Sequence, residues 1–455
     1  MLTTLRKTLL DTSKRYLLRD LFAGDAAAGT LNGTPASGGP GVRTVTDTEN
    51  KLSVVGGVLS FAGGKATPEW GDPGIWYGAV ERVAGRTMIS YSVLADAVSY
   101  GMCGFDTAIG GQLSYALYIN GGVLSITGGL ALGTYAADSY KVACVARASG
   151  TFYFVKGGAF AHWTLVWADG SGSLTPLYPG VSVYNAALTA DNIRIPAQLW
   201  LPSPLASDSF TRANGALVST DGLGHAEQNG GNGLAWTFDS GVWTVAGNVA
   251  VGTPTLGAEL DSGNLVVGNW YSITLDTVGS YFYAGSATGQ AFRATATTAL
   301  TALEKVKQIT PSSLFASVTV STPDVLAEAA VTLTAGTQAG LVLNLDSAAT
   351  PANFVIAYHN GTNCLLEKCV AGVYTTVISA AATYSAGAVL RVIKDGTAYR
   401  LYYNNALVGT GTISDAGIVS NARHGLFSTY SGNSFDNFVV WARGTGGEYS
   451  ALDSF

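Results

Sequence analysis

The stretch at residues 424–443, HGLFSTYSGNSFDNFVVWAR, has the pattern of the last two strands of a β-sandwich. An apolar strand led by glycine is followed by a small polar turn, an Asp-Asn pair and a strand in which apolar and polar residues alternate. The same order recurs at 180–196, GVSVYNAALTADNIRIP, where Asp191 and Asn192 match Asp436 and Asn437. Two copies of one pattern predict two related modules.

Other segments of the two halves correspond in the same order. Residues 57–64 match 241–248, residues 100–106 match 339–346, and residues 142–160 match 388–408. The segments 115–126 and 354–368 are both hairpins around Asn-Gly, a turn whose two central residues need positive φ. This order favours an internal duplication and is typical of Greek-key or jelly-roll topology.

The composition suits short strands and tight turns rather than helices. Hydrophobic residues make up 47% and charged residues 12%, with 58 glycines and 22 tyrosines. The net charge of −6 offers no basic field for phosphates, so nucleic-acid binding is excluded as a function class. No apolar run reaches the ~18 residues of a membrane span. The four cysteines, whose spacing suggests no zinc site, are expected to be free thiols: Cys103, Cys144, Cys364 and Cys369.

The two halves join at residues 199–207, LWLPSPLAS, where two prolines stiffen the linker. We therefore predict an all-β protein of two tandem jelly-roll sandwiches, at 20–198 and 208–455. The second copy is longer, and its excess at 262–311 is predicted to be a small β insert. Residues 1–19 have a helical pattern and form a predicted N-terminal helical arm. The arm either docks on another protein or packs on the first domain, since its apolar face is small for a membrane surface.

Both halves resemble the concanavalin A-like (LamG-type) jelly rolls. The resemblance lies in an opening D-S-F-x-R-A-N-G at 208–215 and a closing F-D-N-F-x-V at 435–440. The first half opens with Asp20, Leu21 and Phe22 but lacks the Arg-Ala-Asn-Gly, so its membership rests on the repeat order. This fold hosts lectins, hydrolases and structural modules alike.

The insert resembles a small β module that recurs in phage-encoded structural proteins. The matching patterns are L-x-x-G-x-x-Y-x-I-T from Leu265 and G-x-x-F-x-A-T from Gly289. The N-terminus lacks the apolar run and cleavage site of a signal peptide, which is consistent with synthesis in a host cytoplasm. The resemblance implies a virion component, such as a tail, fibre or capsid-decorating protein, whose partners are other virion proteins and copies of itself.

We expect no enzymatic activity and no cofactor. Glycosidases resembling this fold carry Glu-x-Asp-x-x-Glu on one strand, so that their carboxylates share a face. That motif is absent, and Glu259 with Asp261 has the spacing of two acids without the third. These two residues are predicted to be a solvated strand end, and a glycoside hydrolase is the least favoured alternative.

Calcium is the one metal that the resemblance leaves open, since LamG-like jelly rolls often hold an ion with loop carboxylates and carbonyls. The candidates are Asp106 and Asp346, which end equivalent strands, and Asp191 and Asp436, in the equivalent Asp-Asn pairs. Asp and Asn also stabilise turns by bonding their own backbone. We favour the turn interpretation at these positions.

A Pro/Gly loop at 68–78, PEWGDPGIWYG, is the candidate binding surface. It places aromatic residues beside carboxylates: Trp70, Trp76 and Tyr77 beside Glu69 and Asp72. Saccharides are held by aromatic faces and a few polar hydrogen bonds, so we predict that this loop contacts a glycan or a neighbouring subunit. The predicted function is a non-enzymatic virion structural protein with carbohydrate binding. The alternative is a surface lectin or adhesin for host-surface glycans.

Overall fold

The computed structural model describes residues 16–80, 87–95, 100–120, 122–127, 130–134, 138–147, 150–169, 175–185, 187–196, 203–223, 231–310 and 313–454. Most of the predicted helical arm, residues 1–15, lies outside these ranges. The helix prediction is wrong for its last residues, because Tyr16–Asp20 is strand β1. Tyr16, Leu18 and Asp20 are buried in alternation, which is the period of a strand and not of a helix.

The chain forms two units, which are Met1–Pro202 together with Arg443–Phe455, and Ser203–Ala442. The second domain was expected to run to residue 455, but the C-terminal segment packs on the first unit. Leu165 N donates a hydrogen bond of 2.9 Å to Arg443 O, and Lys156 Nζ lies 2.8 Å from an Asp453 carboxylate oxygen. The Phe154 and Tyr449 rings meet edge to face at 5.0 Å.

The described strands of the first unit are three to ten residues long. They are β1 Tyr16–Asp20, β2 Thr44–Thr46, β3 Leu52–Val55, β4 Val58–Ala62, β5 Gly74–Trp76, β6 Thr87–Ala95, β7 Tyr100–Asp106, β8 Tyr115–Asn120, β9 Val123–Ile126, β10 Leu130–Thr134, β11 Asp138–Arg147, β12 Gly150–Gly157, β13 Phe160–Asp169, β14 Tyr178–Val183 and β15 Ala187–Pro196. A 3-10 helix at Ser450–Ser454 also belongs to this unit.

Strands of the second unit include those of the insert. They are β16 Ala206–Asp208, β17 Gly215–Ala216, β18 Thr237–Phe238, β19 Val242–Ala246, β20 Val249–Thr253, β21 Thr255–Leu260, β22 Gly263–Asn264, β23 Trp270–Asp276, β24 Ala291–Arg293, β25 Ala299–Leu300, β26 Glu304–Thr310, β27 Leu314–Thr319, β28 Val325–Thr332, β29 Ala339–Leu343, β30 Phe354–His359, β31 Asn363–Val370, β32 Val373–Ala381, β33 Ala388–Asp395, β34 Ala398–Tyr403, β35 Ala406–Thr412, β36 Arg423–Ser428 and β37 Ser434–Ala442. One helical turn, α1, lies at Ala416–Val419.

The two units have the same sheet topology. One sheet of the first unit has the order β13-β12-β11-β6-β15-β4-β3, and its counterpart in the second has the order β35-β34-β33-β28-β37-β20-β19. The facing sheets have the orders β10-β9-β8-β7-β14-β5-β2 and β32-β31-β30-β29-β36-β27-β18. All pairings are antiparallel. Both predicted jelly-roll sandwiches and their duplication are therefore confirmed.

The opening of the second unit is held by a buried carboxylate. Asp208 accepts hydrogen bonds from the Phe210 amide at 2.9 Å and from Trp236 Nε1 at 2.8 Å. Arg212 Nη1 lies 2.6 Å from the same side chain. Phe210 has a φ of 52°, and this left-handed conformation turns the chain so that the aspartate faces its own backbone.

The first unit builds the same feature with different residues. Asp20 accepts hydrogen bonds from the Phe22 amide at 3.0 Å and from the Tyr77 hydroxyl at 2.9 Å, and Phe22 has a φ of 51°. Its arginine is Arg43, whose Nε lies 2.6 Å from the carboxylate. Burial raises the pKa of Asp20, but its hydrogen bonds with Arg43 and the Phe22 amide outweigh that effect and lower it. The first unit therefore retains a buried Asp–Arg ion pair although its opening lacks the Arg-Ala-Asn-Gly motif, because the arginine comes from a later position in the sequence.

The insert is a small β module between β20 and β27. It has a four-stranded sheet in the order β21-β26-β23-β24 and a two-stranded sheet of β22 and β25. The module begins at Thr255 and not at the expected residue 262, because every residue of β21 is exposed and gives no burial pattern. Its core contains the apolar residues of the matching sequence patterns, Leu265, Tyr271, Ile273, Phe292 and Ala294, together with Leu300 and Val306.

Candidate functional site

The seven-stranded sheet of the second unit has two buried faces. Alternate residues such as Leu341, Ala357 and Leu426 pack in the sandwich core. The residues between them point to the other face, where they form a second cluster rich in aromatic rings. Its members are Phe315, Val342, Leu345, Phe354, Ile356, Tyr358, Cys369 and Phe427.

The insert lies against this aromatic face. Trp270, Ala291 and Ile309 form a small cluster on the four-stranded sheet, and Tyr430 of the sandwich packs against it. The Tyr430 hydroxyl donates a hydrogen bond of 3.2 Å to Gly289 O. These contacts hold the module beside the sandwich and leave a cleft between them.

The cleft has a volume of about 350 Å³. This size is at the lower end of the range for small-molecule sites, about 300–1,000 Å³. Its lining combines aromatic rings with polar and charged side chains: Gly268, Trp270, Arg293, Ser313, Gln338, Ile356, Tyr358, Glu367, Tyr374 and Phe427. We call it the insert cleft.

Glu367 is the acidic group of the insert cleft. The Thr376 hydroxyl donates a hydrogen bond of 2.7 Å to its carboxylate, and the Tyr358 hydroxyl donates a second. Burial, and then the negative charge of Glu367, raise the pKa of Tyr358 above its ordinary range. The tyrosine is therefore a neutral donor that fixes the carboxylate, and a carboxylate can accept further hydrogen bonds beyond these two.

Tyr374 provides an exposed aromatic surface, with 45% of the residue accessible. Its hydroxyl oxygen accepts a hydrogen bond from Ser313, and its ring meets Phe354 edge to face at 5.9 Å. These two contacts orient a ring that is open on one side. An oriented, accessible ring is suited to stack against the apolar face of a ligand.

Arg293 and Gln338 bring free donors to the cleft. Arg293 Nε donates a hydrogen bond of 3.0 Å to Gly268 O, and among the described residues no carboxylate pairs with its guanidinium. Gln338 uses its backbone to bond Thr429, while its side-chain amide bonds no residue in the described ranges. The cleft can thus donate and accept hydrogen bonds beside aromatic surface.

The predicted binding loop at 68–78 is mostly core. Trp76 and Tyr77 are fully buried, so the prediction that they contact a ligand is wrong. Trp76 Nε1 donates a hydrogen bond of 3.3 Å to Thr46 Oγ1, and its ring packs with Met102 and Ala116. The Pro/Gly signals correctly indicated a turn, but β5 begins at Gly74 and buries Trp76 against Met102 on the outer face of its sheet.

The other three loop residues also serve the first unit. The buried Asp72 carboxylate lies 2.9 Å from Lys65 Nζ. It also accepts hydrogen bonds from the backbone amide and the hydroxyl of Thr48. Trp70 is half-buried and packs against the Tyr184 ring at 5.6 Å. Glu69 is exposed on the surface. The loop therefore presents one acid and part of one ring, which do not form a concave site.

Asp106 and Asp346 stabilise loops. Asp106 accepts hydrogen bonds of 2.7 Å from the Thr107 amide and the Ser114 hydroxyl. Asp346 accepts bonds from the Ala352 and Asn353 amides, each of 3.0 Å. These contacts agree with the turn interpretation.

The Asp-Asn pairs form matching bulges. Asn192 and Asn437 have φ values of 58° and 51°, and the ladder register shifts beside each pair. Burial raises the pKa of Asp191 and of Asp436 above the ordinary value of an aspartate. In the described ranges no three His, Cys, Asp or Glu side chains are grouped to hold a metal ion.

The residues of the insert cleft gave weak sequence signals. Trp270, Tyr358 and Tyr374 lie in alternating strands, where such rings are typical of the core. Arg293 occupies the variable position between Phe292 and Ala294 of the insert pattern. A charged residue between two apolar pattern residues is the one sequence feature that could have indicated a site in the insert.

The four cysteines are free and buried, as expected. Two histidines of the second unit are also buried. His359 lies between the Tyr384 and Tyr403 rings, and His424 is fully buried. Among the described residues, no helix is both long and apolar enough to cross a membrane.

No protein-family model and no curated protein matches this sequence. Solved structures match parts of it. The carbohydrate-binding module CBM66 from Bacillus subtilis is 16% identical, with 30% of this chain and 86% of the module covered at a TM-score of 0.26. An endo-β-1,3-glucanase from Pyrococcus furiosus is 11% identical, with 52% and 94% covered at a TM-score of 0.28. A galectin from Caenorhabditis elegans is 11% identical, with 27% and 88% covered at 0.22.

Proposed function

We propose that this protein is a non-catalytic glycan-binding protein and that the insert cleft holds the saccharide. The observation that carries the proposal is the lining of that cleft. Tyr374 offers an accessible ring, Glu367 a fixed acceptor and Gln338 a free amide, all around one concave space. Sugar rings need an apolar surface for their C–H face and convergent polar groups for their hydroxyls.

The absence of a second acid supports binding rather than hydrolysis. Glycosidases commonly use two carboxyl groups about 5–10 Å apart across the scissile bond. Glu367 is the only acid among the described residues that line the cleft. Glu259 does not supply the second acid of the cleft, because it lies on the exposed strand β21 and pairs with Lys305 at 3.3 Å.

The test is binding of the full chain on a glycan array, followed by calorimetry on each glycan that binds. We expect Tyr374→Ala to weaken binding about tenfold to a hundredfold, because one exposed stacking ring contributes about 1–3 kcal/mol. Tyr184→Ala is the matched control, since Tyr184 is an exposed tyrosine of the first unit. Equal effects of the two variants, or an array without any bound glycan, would contradict the proposal.

A place in a phage particle is the finer hypothesis, and it is supported by the sequence pattern of the insert. The apolar residues of that pattern, Leu265, Tyr271, Ile273, Phe292 and Ala294, form the core of the module. The pattern therefore explains how the module folds, whereas assembly needs its own test. Light scattering should give a large oligomer that depends on residues 1–15, and a monomer with and without them would contradict assembly.

A further inference from the structure

A second cavity of about 280 Å³ lies in the insert beside the cleft. Its lining includes Phe282, Phe292, Arg293, Thr295, Ala296 and Thr298. The Phe282 and Phe292 rings are 4.9 Å apart, and the Tyr283 hydroxyl donates a hydrogen bond of 2.6 Å to Gln290. The cavity thus has an ordered aromatic wall and a rim of small polar residues.

Arg293 lines both cavities. It is the last residue of β24, which is the edge strand of the four-stranded sheet, and its side chain is exposed. The bond from Nε to Gly268 O fixes the plane of the guanidinium and leaves both Nη groups available. A fixed guanidinium fork matches the two oxygens of a carboxylate or sulfate.

We propose that the insert cleft and this second cavity form one extended site for an acidic oligosaccharide, whose carboxylate or sulfate is held by Arg293. The inference rests on the proposed glycan-binding function. One sugar unit stacks on Tyr374 in the cleft, the charged group lies at Arg293, and the chain continues to the Phe282 wall. Two cavities that share a charged residue favour an oligomer over a single sugar.

The charge distribution favours an anion at this position. Arg293 has no carboxylate partner among the described residues, so its guanidinium can accept an anionic group. Glu367 lies in the same cleft, but the Thr376 and Tyr358 hydroxyls both donate to its carboxylate. The carboxylate of Glu367 thus already accepts two hydrogen bonds from the protein, whereas both Nη groups of Arg293 are available to a ligand.

Calorimetry with three oligosaccharide series tests this inference: oligogalacturonates, sulfated galactan oligosaccharides and neutral galactan oligosaccharides. At low salt we expect one acidic series to bind about tenfold tighter than the neutral series, and the advantage to decline between about 0.05 and 0.5 M NaCl. Arg293→Gln should abolish the advantage. Lys307→Gln is the matched control, because Lys307 is a cation of the same sheet that lines neither cavity.

The outcomes separate this inference from the proposed function. If neutral and acidic series bind equally, or if Arg293→Gln leaves the ratio unchanged, the acidic ligand is wrong while glycan binding stands. If none of the three series binds, the acidic ligand is overturned, while the proposed glycan binding is decided by the glycan array. The second cavity is tested by chain length: a tetrasaccharide should bind tighter than a disaccharide, and Ala296→Tyr, which fills the cavity, should remove that gain. An unchanged gain would overturn the extended site.

Discussion

The same connection of the jelly roll has two different structures in the two units. In the first unit, residues 63–73 join β4 to β5, and in the second the whole insert joins β20 to β27. Both connections cover the outer face of their seven-stranded sheet. The short one packs Trp70 against the cluster of buried residues around Trp76 of β5, whereas the long one leaves a cleft of about 350 Å³.

The short connection is held closed by a set of local bonds. Gly71 N donates a hydrogen bond of 2.8 Å to Ser182 Oγ, and the Thr46 hydroxyl donates one to Gly71 O. Gly71 has a φ of 89°, and a Cβ there would collide with the Gly111 backbone. The difference teaches that one fold can close or open the same face, depending on the length of a single connection.

Exchanging the two connections should have the largest effect. Replacing 255–310 by the sequence of residues 63–73 removes Trp270 and Arg293 from the cleft, so we expect glycan affinity to decline at least about a hundredfold. Calorimetry measures the affinity, and circular dichroism checks that the sandwich remains folded. Retained binding in a folded chimera would mean that the insert does not build the site.

The Asp–Arg pairs at the openings of the two units can be compared by their contributions to the free energy of unfolding. Arg43→Met leaves the buried Asp20 carboxylate without its cation, which costs about 3–5 kcal/mol. Arg212→Met should cost less, about 1–2 kcal/mol, because the Arg212 side chain is 27% exposed and water can replace it. Urea unfolding of each variant measures the loss. Equal losses would show that the two pairs are energetically equivalent despite their different exposure.

The second unit contains a buried histidine, His424, which should make its free energy of unfolding depend on pH. Burial lowers the pKa of His424 to about 3, whereas the unfolded chain keeps the ordinary value of 6.5. Between these values the unfolded state binds the extra proton, so the free energy of unfolding should decline by about 1.4 kcal/mol for each pH unit below about 6. Urea midpoints of the wild type and His424→Gln at pH 5 to 7 measure it, and parallel pH profiles would refute the assignment.

The smallest effect is expected at the loop first proposed as the binding surface. Trp70 is half-buried, so Trp70→Ala should cost about 1–2 kcal/mol of stability through lost contacts with Tyr184 and leave glycan affinity unchanged. Calorimetry and urea unfolding of the same sample give both numbers. A large loss of affinity with normal folding would restore the loop as a binding site.

The sequence predicted the architecture because strand patterns and their order are local properties that survive duplication. The insert cleft could not be predicted in the same way, because Trp270 and Glu367 are distant in the chain and meet only when the module lies on the sandwich. The buried Trp76 was misjudged for a related reason: a turn signal does not say where the next strand begins. In the first unit Arg43 pairs with the buried aspartate as Arg212 does in the second, but it lies 23 residues after Asp20 instead of four, so a motif search could not reveal it.

Hydrogen–deuterium exchange of the full chain, with and without a saturating glycan chosen from the array, tests the central claim most directly. We predict slower exchange at 268–271, 291–294 and 354–376, around the insert cleft, and no change at 63–77 of the first unit. Protection confined to 63–77, or protection absent from the insert and from β30 to β32, would contradict the assignment of the site.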